Sequence, residues 1–182
     1  MTAAAAVLAA GAGVRMGAPK AELVVAGVRL LDRAVRIAAD AGCTPVFAVV
    51  RDGVQVSGAI AVVNPAPERG MRGSLALAVD AAADAQALAV LLVDTPGITA
   101  DAVRAVVAAW RPGRIAVGRY GVRRGHPIVM APDLWRDAVR MAAADEGARA
   151  LLAARPDLVD EIEVPGDPSD LDTQEDLAGW SP

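Results

Sequence analysis

Leu88-Ala-Val-Leu-Leu-Val93 is an unbroken apolar run that ends at a carboxylate, Asp94. A membrane span takes about 18 apolar residues, and this run is far too short for one. It reads instead as a central strand covered on both faces, which requires helices above and below it. The rest of the chain supplies them. Ala4–Leu8, Pro45–Val50, Ile60–Val63 and Val159–Val164 read as further strands. Ser74–Ala83, Thr99–Trp110, Pro132–Met141, Gly147–Ala154 and Thr173–Ala178 read as helices, and Val28–Ala41 shows the clearest pattern. There, Leu30, Leu31, Ala34, Val35, Ala38 and Ala39 share one side, with Arg29, Asp32, Arg33, Arg36 and Asp40 elsewhere. Gly42 and Pro45 stop it. Thr99 is an expected N-cap. Ile115–Gly118 and Pro127–Met130 look like paired strands around a basic turn holding Arg123 and Arg124. Strands alternating with helices predict an α/β fold: one domain over residues 1–182, three layers (α/β/α), with a mostly parallel mixed sheet.

Composition narrows the function. Aromatic residues are 3% of the chain, so Ala, Val and Leu must fill the core and helices must sit close on the sheet. The formal charge of −4 offers no broad basic face for nucleic acid, although a few local cations and backbone N–H groups suffice for a phosphate. The single cysteine, Cys43, makes no internal disulfide and no cysteine-rich metal framework, and reads as a small buried hydrophobe. Thr2–Ala10 is apolar but lacks a preceding positive segment and breaks at Gly11, so neither a secretion signal nor a membrane anchor is expected. The expectation is a cytoplasmic protein.

In parallel sheets ligands bind beyond the carboxyl ends of the strands. After Leu8 come Gly11, Gly13 and Gly17, small enough for backbone N–H groups to approach a phosphate, with Arg15 and Lys20 to meet a triphosphate. A Walker A loop would need Lys-Ser/Thr after its last glycine, and Ala18-Pro19 stands there instead. The dinucleotide fingerprint Gly-x-Gly-x-x-Gly is missed by one residue, which weakens a nicotinamide-dependent oxidoreductase reading. Asp94 is placed to hold a divalent cation. Asp170 and Asp172 follow the last strand and, in an extended segment, would point the same way, so that one of them completes the site. Helix capping before Thr173 is the competing role for that pair. Gly70 and Ser74 are candidates to line a base pocket, with an N-cap role for Ser74 as the alternative. The chain has no Ser-His-Asp or Cys-His arrangement, and a catalytically idle binding module is the reading that an intact pair of metal ligands argues against.

Leu8-Ala-Ala-Gly-Ala-Gly-Val-Arg-Met-Gly-Ala-Pro-Lys20 resembles the L-A-[AG]-G-x-x-x-R-M-G-x-x-K signature of the molybdenum-cofactor nucleotidyltransferases. Further matches follow in order: Asn64-Pro65 with Gly70–Leu75, Val93-Asp94-Thr95-Pro96, Gly125-His126-Pro127, Glu146-Gly147-Ala148-Arg149, and Asp170–Leu177. Each is weak alone; their order and spacing make the resemblance specific. It implies a Rossmann-like, GT-A-like nucleotidyltransferase fold and transfer of a nucleoside monophosphate from CTP or GTP to a molybdopterin-type acceptor. Ala9-Ala10-Gly11 resembles the cytidylyl branch, so CTP is the expected donor. By the same resemblance Arg15, Lys20 and Asp94 are catalytic. Leu8, Ala9, Ala10, Gly11, Gly13, Asn64, Gly70 and Ser74 join Arg15 and Lys20 in binding the nucleotide. Asp94 and Asp172, ahead of Asp170, hold Mg2+ or Mn2+. His126 and Arg149 meet the acceptor. A molybdoenzyme or its chaperone is the implied downstream partner. Val93, Gly97 and Gln174 depart from the pattern, which has glycine, a bulkier residue and proline at those positions.

Overall fold

The computed structural model describes residues 2–180. A seven-stranded sheet forms its centre, with strands β1 (Ala4–Leu8), β4 (Val46–Val50), β5 (Ile60–Val63), β6 (Leu88–Leu92), β7 (Ile115–Tyr120), β8 (Arg123–Met130) and β9 (Val159–Glu163) in the order β5-β4-β1-β6-β8-β7-β9. β8 runs antiparallel to both its neighbours; the remaining pairings are parallel. The two central strands are in register from Ala4–Leu88 to Leu8–Leu92. β1 is followed by strands on one side and β6 lies on the other, so their carboxyl ends flank the switch point where a crevice must open.

Helices cover both faces. α1 (Leu30–Asp40) and α3 (Ala100–Ala109) pack on the side to which Ala5, Val7, Ala48, Val50, Ala89 and Leu91 turn. α2 (Met71–Ala81), α4 (Pro132–Met141) and α5 (Arg149–Ala154) cover Ala4, Ala6, Leu8, Val49, Leu88 and Val90. Every residue of β1 is buried, with Ala5, Ala6 and Val7 fully so. Alternation of side chains along a strand divides the core into these two layers, and alanines on the central strand let the helices approach closely. No helix among the described residues is long and apolar enough to cross a membrane.

Several boundaries differ from the sequence reading. Val28–Arg29 is strand β3, paired with β2 (Val24–Val25) through a turn in which Ala26 and Gly27 both have positive φ, so α1 starts only at Leu30. α2 begins three residues early, at Met71, directly after Gly70. Ser74 is therefore inside the helix and is not its N-cap. β7 and β8 are longer than expected and turn at Gly121-Val122, which makes Arg123 and Arg124 strand residues and not turn residues. α5 starts at Arg149, two residues after the expected Gly147. Thr99 caps α3 as expected, accepting from the Ala102 N–H at 3.1 Å.

Candidate active site

The loop after β1 carries no long helix. It makes two 3-10 turns, Val14–Met16 and Lys20–Glu22, on either side of Pro19. Gly13 has φ +59, and a Cβ there would lie 1.9 Å from the Ala18 carbonyl oxygen, so only glycine lets the loop fold back on itself. The fold-back brings Lys20 under the end of β6.

Lys20 Nζ donates to Asp94 Oδ2 at 2.6 Å and to Asp172 Oδ1 at 2.6 Å. Three segments remote in sequence thus meet at one atom. Burial pulls the Lys20 ammonium down, but its hydrogen bonds to Asp172 and Asp94 and their charges outweigh that and leave its pKa above the usual lysine value. The last segment is fixed by backbone: Leu171 N–H donates to the Asp94 carbonyl at 2.8 Å, and Leu171 is buried. Asp176 then accepts from the N–H groups of both Asp172 and Thr173, while Thr173 caps α6 (Gln174–Gly179). The expected capping chemistry and the expected carboxylate are therefore both present, on different side chains.

A cleft of about 310 Å³ opens between the β1 loop and α2, lined by Leu8, Ala10, Gly11, Lys20, Gly70, Ser74 and Asp94, with Met71 and Asp145 among the remaining wall residues. Most of the predicted nucleotide-binding residues converge there. Gly13 and Arg15 line a smaller adjoining cleft with Lys20 and Asp172. Ala9 and Asn64 are not brought to the main cleft. Ala9 turns into the α1/α3 core. Asn64 is buried, donates to Ser74 Oγ at 3.0 Å and accepts from the Ala66 N–H, so it stands behind Ser74 and fixes it.

A larger cleft of about 550 Å³ adjoins the first and shares Met71, Leu92 and Asp145 with it. His126, Arg149, Arg123, Arg124 and Asp170 line it. Asp170 and Asp172, expected to point the same way, line different clefts, and Asp172 is the one that meets Lys20. His126 Nδ1 lies 3.0 Å from the Val90 carbonyl. A carbonyl only accepts, so Nδ1 carries the proton and Nε2 is the lone-pair nitrogen. Burial lowers the His126 pKa, opposed by the Val90 hydrogen bond and the Asp94 charge, and the ring is neutral at pH 7. Arg124 is paired with Glu161 and Arg123 with Ser169, whereas Arg149 has no hydrogen bond or ion pair among the described residues.

Sequence reasoning missed two contributions. Gln174 Nε2 donates to the Met16 carbonyl at 2.6 Å and ties the C-terminal segment to the glycine loop; its signal was the departure from proline. Asp145 is held at the shared wall by the close fit of its loop against Gly70, where a Cβ would lie 2.4 Å from Asp145 Oδ1 and from the Ala144 carbonyl oxygen. Gly97 also has a reason: a Cβ there would lie 2.6 Å from the Asp167 carbonyl oxygen.

Asp94 Oδ2 and Asp172 Oδ1 converge on one point, each 2.6 Å from Lys20 Nζ, and carboxylate oxygens are the donors that a hard divalent cation such as Mg2+ takes. Among the described residues no group of three or more metal-ligating side chains is found.

Residues 5–159 match the MobA-like NTP transferase domain family. The chain is 38% identical to nicotine blue oxidoreductase of Paenarthrobacter nicotinovorans, covering 93% of this chain and 89% of that one. It is 40% identical to a probable molybdenum cofactor guanylyltransferase of Opitutus terrae over 63% of this chain and 59% of the relative. Among solved structures it resembles the homologue of Mycobacterium tuberculosis Rv0371c from Mycobacterium sp. strain JC1, with a TM-score of 0.81, 26% identity, and coverage of 96% of this chain and 92% of that one. The manganese complex of Rv0371c from Mycobacterium tuberculosis H37Rv shares the fold, with a TM-score of 0.78 and 24% identity over 99% of this chain and all of that one. With its triphosphate-type loop, its paired carboxylates and this match over most of its length, the chain belongs to the MobA-like NTP transferase domain family and is a nucleotidyltransferase.

Proposed function

We propose that residues 1–182 form a single nucleotidyltransferase domain, acting in the cytoplasm, that transfers CMP from CTP to the phosphate monoester of a molybdopterin-type acceptor and releases pyrophosphate. GTP is the alternative donor. The observation that carries this reading is the convergence of Asp94, Asp172 and Lys20 where the nucleotide cleft meets the smaller cleft beside Arg15. The base and ribose fit between the β1 loop and α2, with Ser74 and Gly70 at the base end. Arg15 and Lys20 meet the β- and γ-phosphates and stabilise the charge that builds on the departing pyrophosphate. Asp94 and Asp172 would hold Mg2+, or Mn2+, which when bound offsets charge on the triphosphate oxygens. The acceptor lies in the larger cleft, its anionic group against Arg149. Neutral His126 accepts a hydrogen bond from an N–H or O–H of the acceptor. The acceptor phosphate is largely dianionic near neutral pH, with a second pKa of about 6, so its oxygen attacks the α-phosphorus without a general base. The Opitutus relative's name supports a molybdenum-cofactor acceptor, and a molybdoenzyme or its chaperone is the downstream partner.

The test is pyrophosphate release from CTP and from GTP with molybdopterin as acceptor. Asp94→Ala should reduce the rate on the order of 100-fold or more; an unchanged rate refutes the metal assignment.

A second reading, an oxidoreductase drawing on a nicotinamide dinucleotide, is favoured by one observation, the name of the Paenarthrobacter relative. The loop spacing and the Lys20–Asp94–Asp172 cluster oppose it. A ligand that binds the folded state raises its apparent stability, so thermal-shift titrations separate the two. Stabilisation by NAD(P)H and none by Mg·CTP or Mg·GTP would establish the second reading and sink the first.

A further inference from the structure

We propose that Lys20 competes with the divalent cation for Asp94 and Asp172, and that it passes from these carboxylates to the triphosphate when the donor binds with its metal. The proposal rests on the reading of Asp94 and Asp172 as the metal ligands.

The geometry leaves one place for two cations. Lys20 Nζ sits between Asp94 Oδ2 and Asp172 Oδ1, bonded to each at 2.6 Å, and two of its three N–H donors are spent there. The Lys20 and Asp94 side chains keep 16% and 19% of their exposure, so their bond is largely withdrawn from water, whereas Asp172 keeps 54% and reaches in from the exposed side. A divalent ion entering alone must expel the ammonium and leave it half-buried without a partner, which is costly. A triphosphate removes that cost, because Lys20 lines both the nucleotide cleft and the smaller cleft beside Arg15. A rotation about its side-chain bonds exchanges carboxylate oxygens for phosphate oxygens. Metal and nucleotide therefore favour each other's binding, and by linkage the factor is the same in both directions. Arg15 provides the internal comparison. It lies in the same small cleft, and among the described residues it makes no ion pair with either carboxylate.

The experiment measures Mn2+ affinity of the intact chain from the paramagnetic resonance signal of free Mn2+. It is run without nucleotide and with a saturating α,β-methylene analogue of CTP or GTP. Wild type should bind Mn2+ weakly alone and at least about tenfold more tightly with the analogue. Lys20→Met should bind Mn2+ alone at least about tenfold more tightly than wild type. Arg15→Met should leave the affinity for Mn2+ alone nearly unchanged. Equal affinities of Lys20→Met and wild type for Mn2+ alone would overturn the proposal. Equal tightening in Arg15→Met would overturn it too, since any nearby positive charge would then explain the effect. If Lys20→Met does not fold, Lys20→Gln takes its place, and an affinity for Mn2+ alone equal to that of wild type overturns the proposal in the same way. Asp94→Asn separates this idea from its premise. Mn2+ binding that survives this change rejects the metal-ligand assignment, whereas its loss together with an unaltered Lys20→Met rejects only the role of Lys20.

Discussion

The two clefts are built on opposite plans. On the nucleotide side the charges are already paired with one another: Lys20 bridges Asp94 and Asp172, and Gln174 ties the loop to the C-terminal segment. On the side proposed for the acceptor the groups do not pair with one another: His126 is held by the Val90 carbonyl and by Tyr120, whose hydroxyl donates to the His126 carbonyl at 2.6 Å. Arg149 reaches no protein partner among the described residues, and Arg123 and Arg124 are occupied by Ser169 and Glu161. The difference separates chemistry from recognition. A cross-paired cluster holds reacting groups in place before substrate arrives, while an open wall of separately held groups suits one anionic, hydrogen-bonding molecule and leaves its body to shape and apolar contact.

The sharpest way to break the comparison is at Gly13. Alanine there meets the Ala18 carbonyl and a positive φ, and should cost more than about 1 kcal/mol. The loss should appear in thermal unfolding and as a higher KM for the triphosphate, with the acceptor KM unaffected. Equal stability would show that the loop does not need its fold-back. Arg149→Ala probes the other side. The acceptor KM should rise about tenfold, as expected for one lost bond to a charged group, while the thermal shift with Mg·CTP stays the same. A change in that shift would mean that the clefts are not separate in role.

Gln174→Ala should raise the triphosphate KM about two- to tenfold, the worth of one hydrogen bond, with kcat little changed. Gln174→Lys, which keeps a donor, should recover part of it; a fall in kcat alone would point to another role. The smallest effect concerns His126. Its pKa is depressed in the folded state by burial, so the unfolded chain binds the extra proton first. The stability contribution of the neutral ring is complete above the ordinary histidine pKa and is lost as pH falls through the folded value. Wild type should therefore lose more stability than His126→Asn between pH 7.5 and pH 5, about the ordinary histidine pKa of 6.5. Parallel curves would contradict a neutral ring.

The sequence by itself determined the order of strands and helices, the glycine loop and the carboxylate after the central run. These are local facts: periodicity and glycine chemistry act over a few residues, and Leu88–Leu92 has no other way to bury itself. The errors were local too. Val28–Arg29 carried a helical pattern but was captured by a hairpin whose turn, Ala26-Gly27, went unread. Gly70 started α2 early, at Met71, which removes the N-cap alternative for Ser74 and leaves it on the cleft wall. The resemblance already favoured Asp172 over Asp170, and the tertiary structure brings Asp172 to Lys20 while Asp170 lines the larger cleft. It also put Asn64 behind Ser74, out of the cleft, and set Gln174 against a carbonyl more than 150 residues away. Such contacts depend on where the sheet brings distant segments together, and no spacing along the chain encodes that distance.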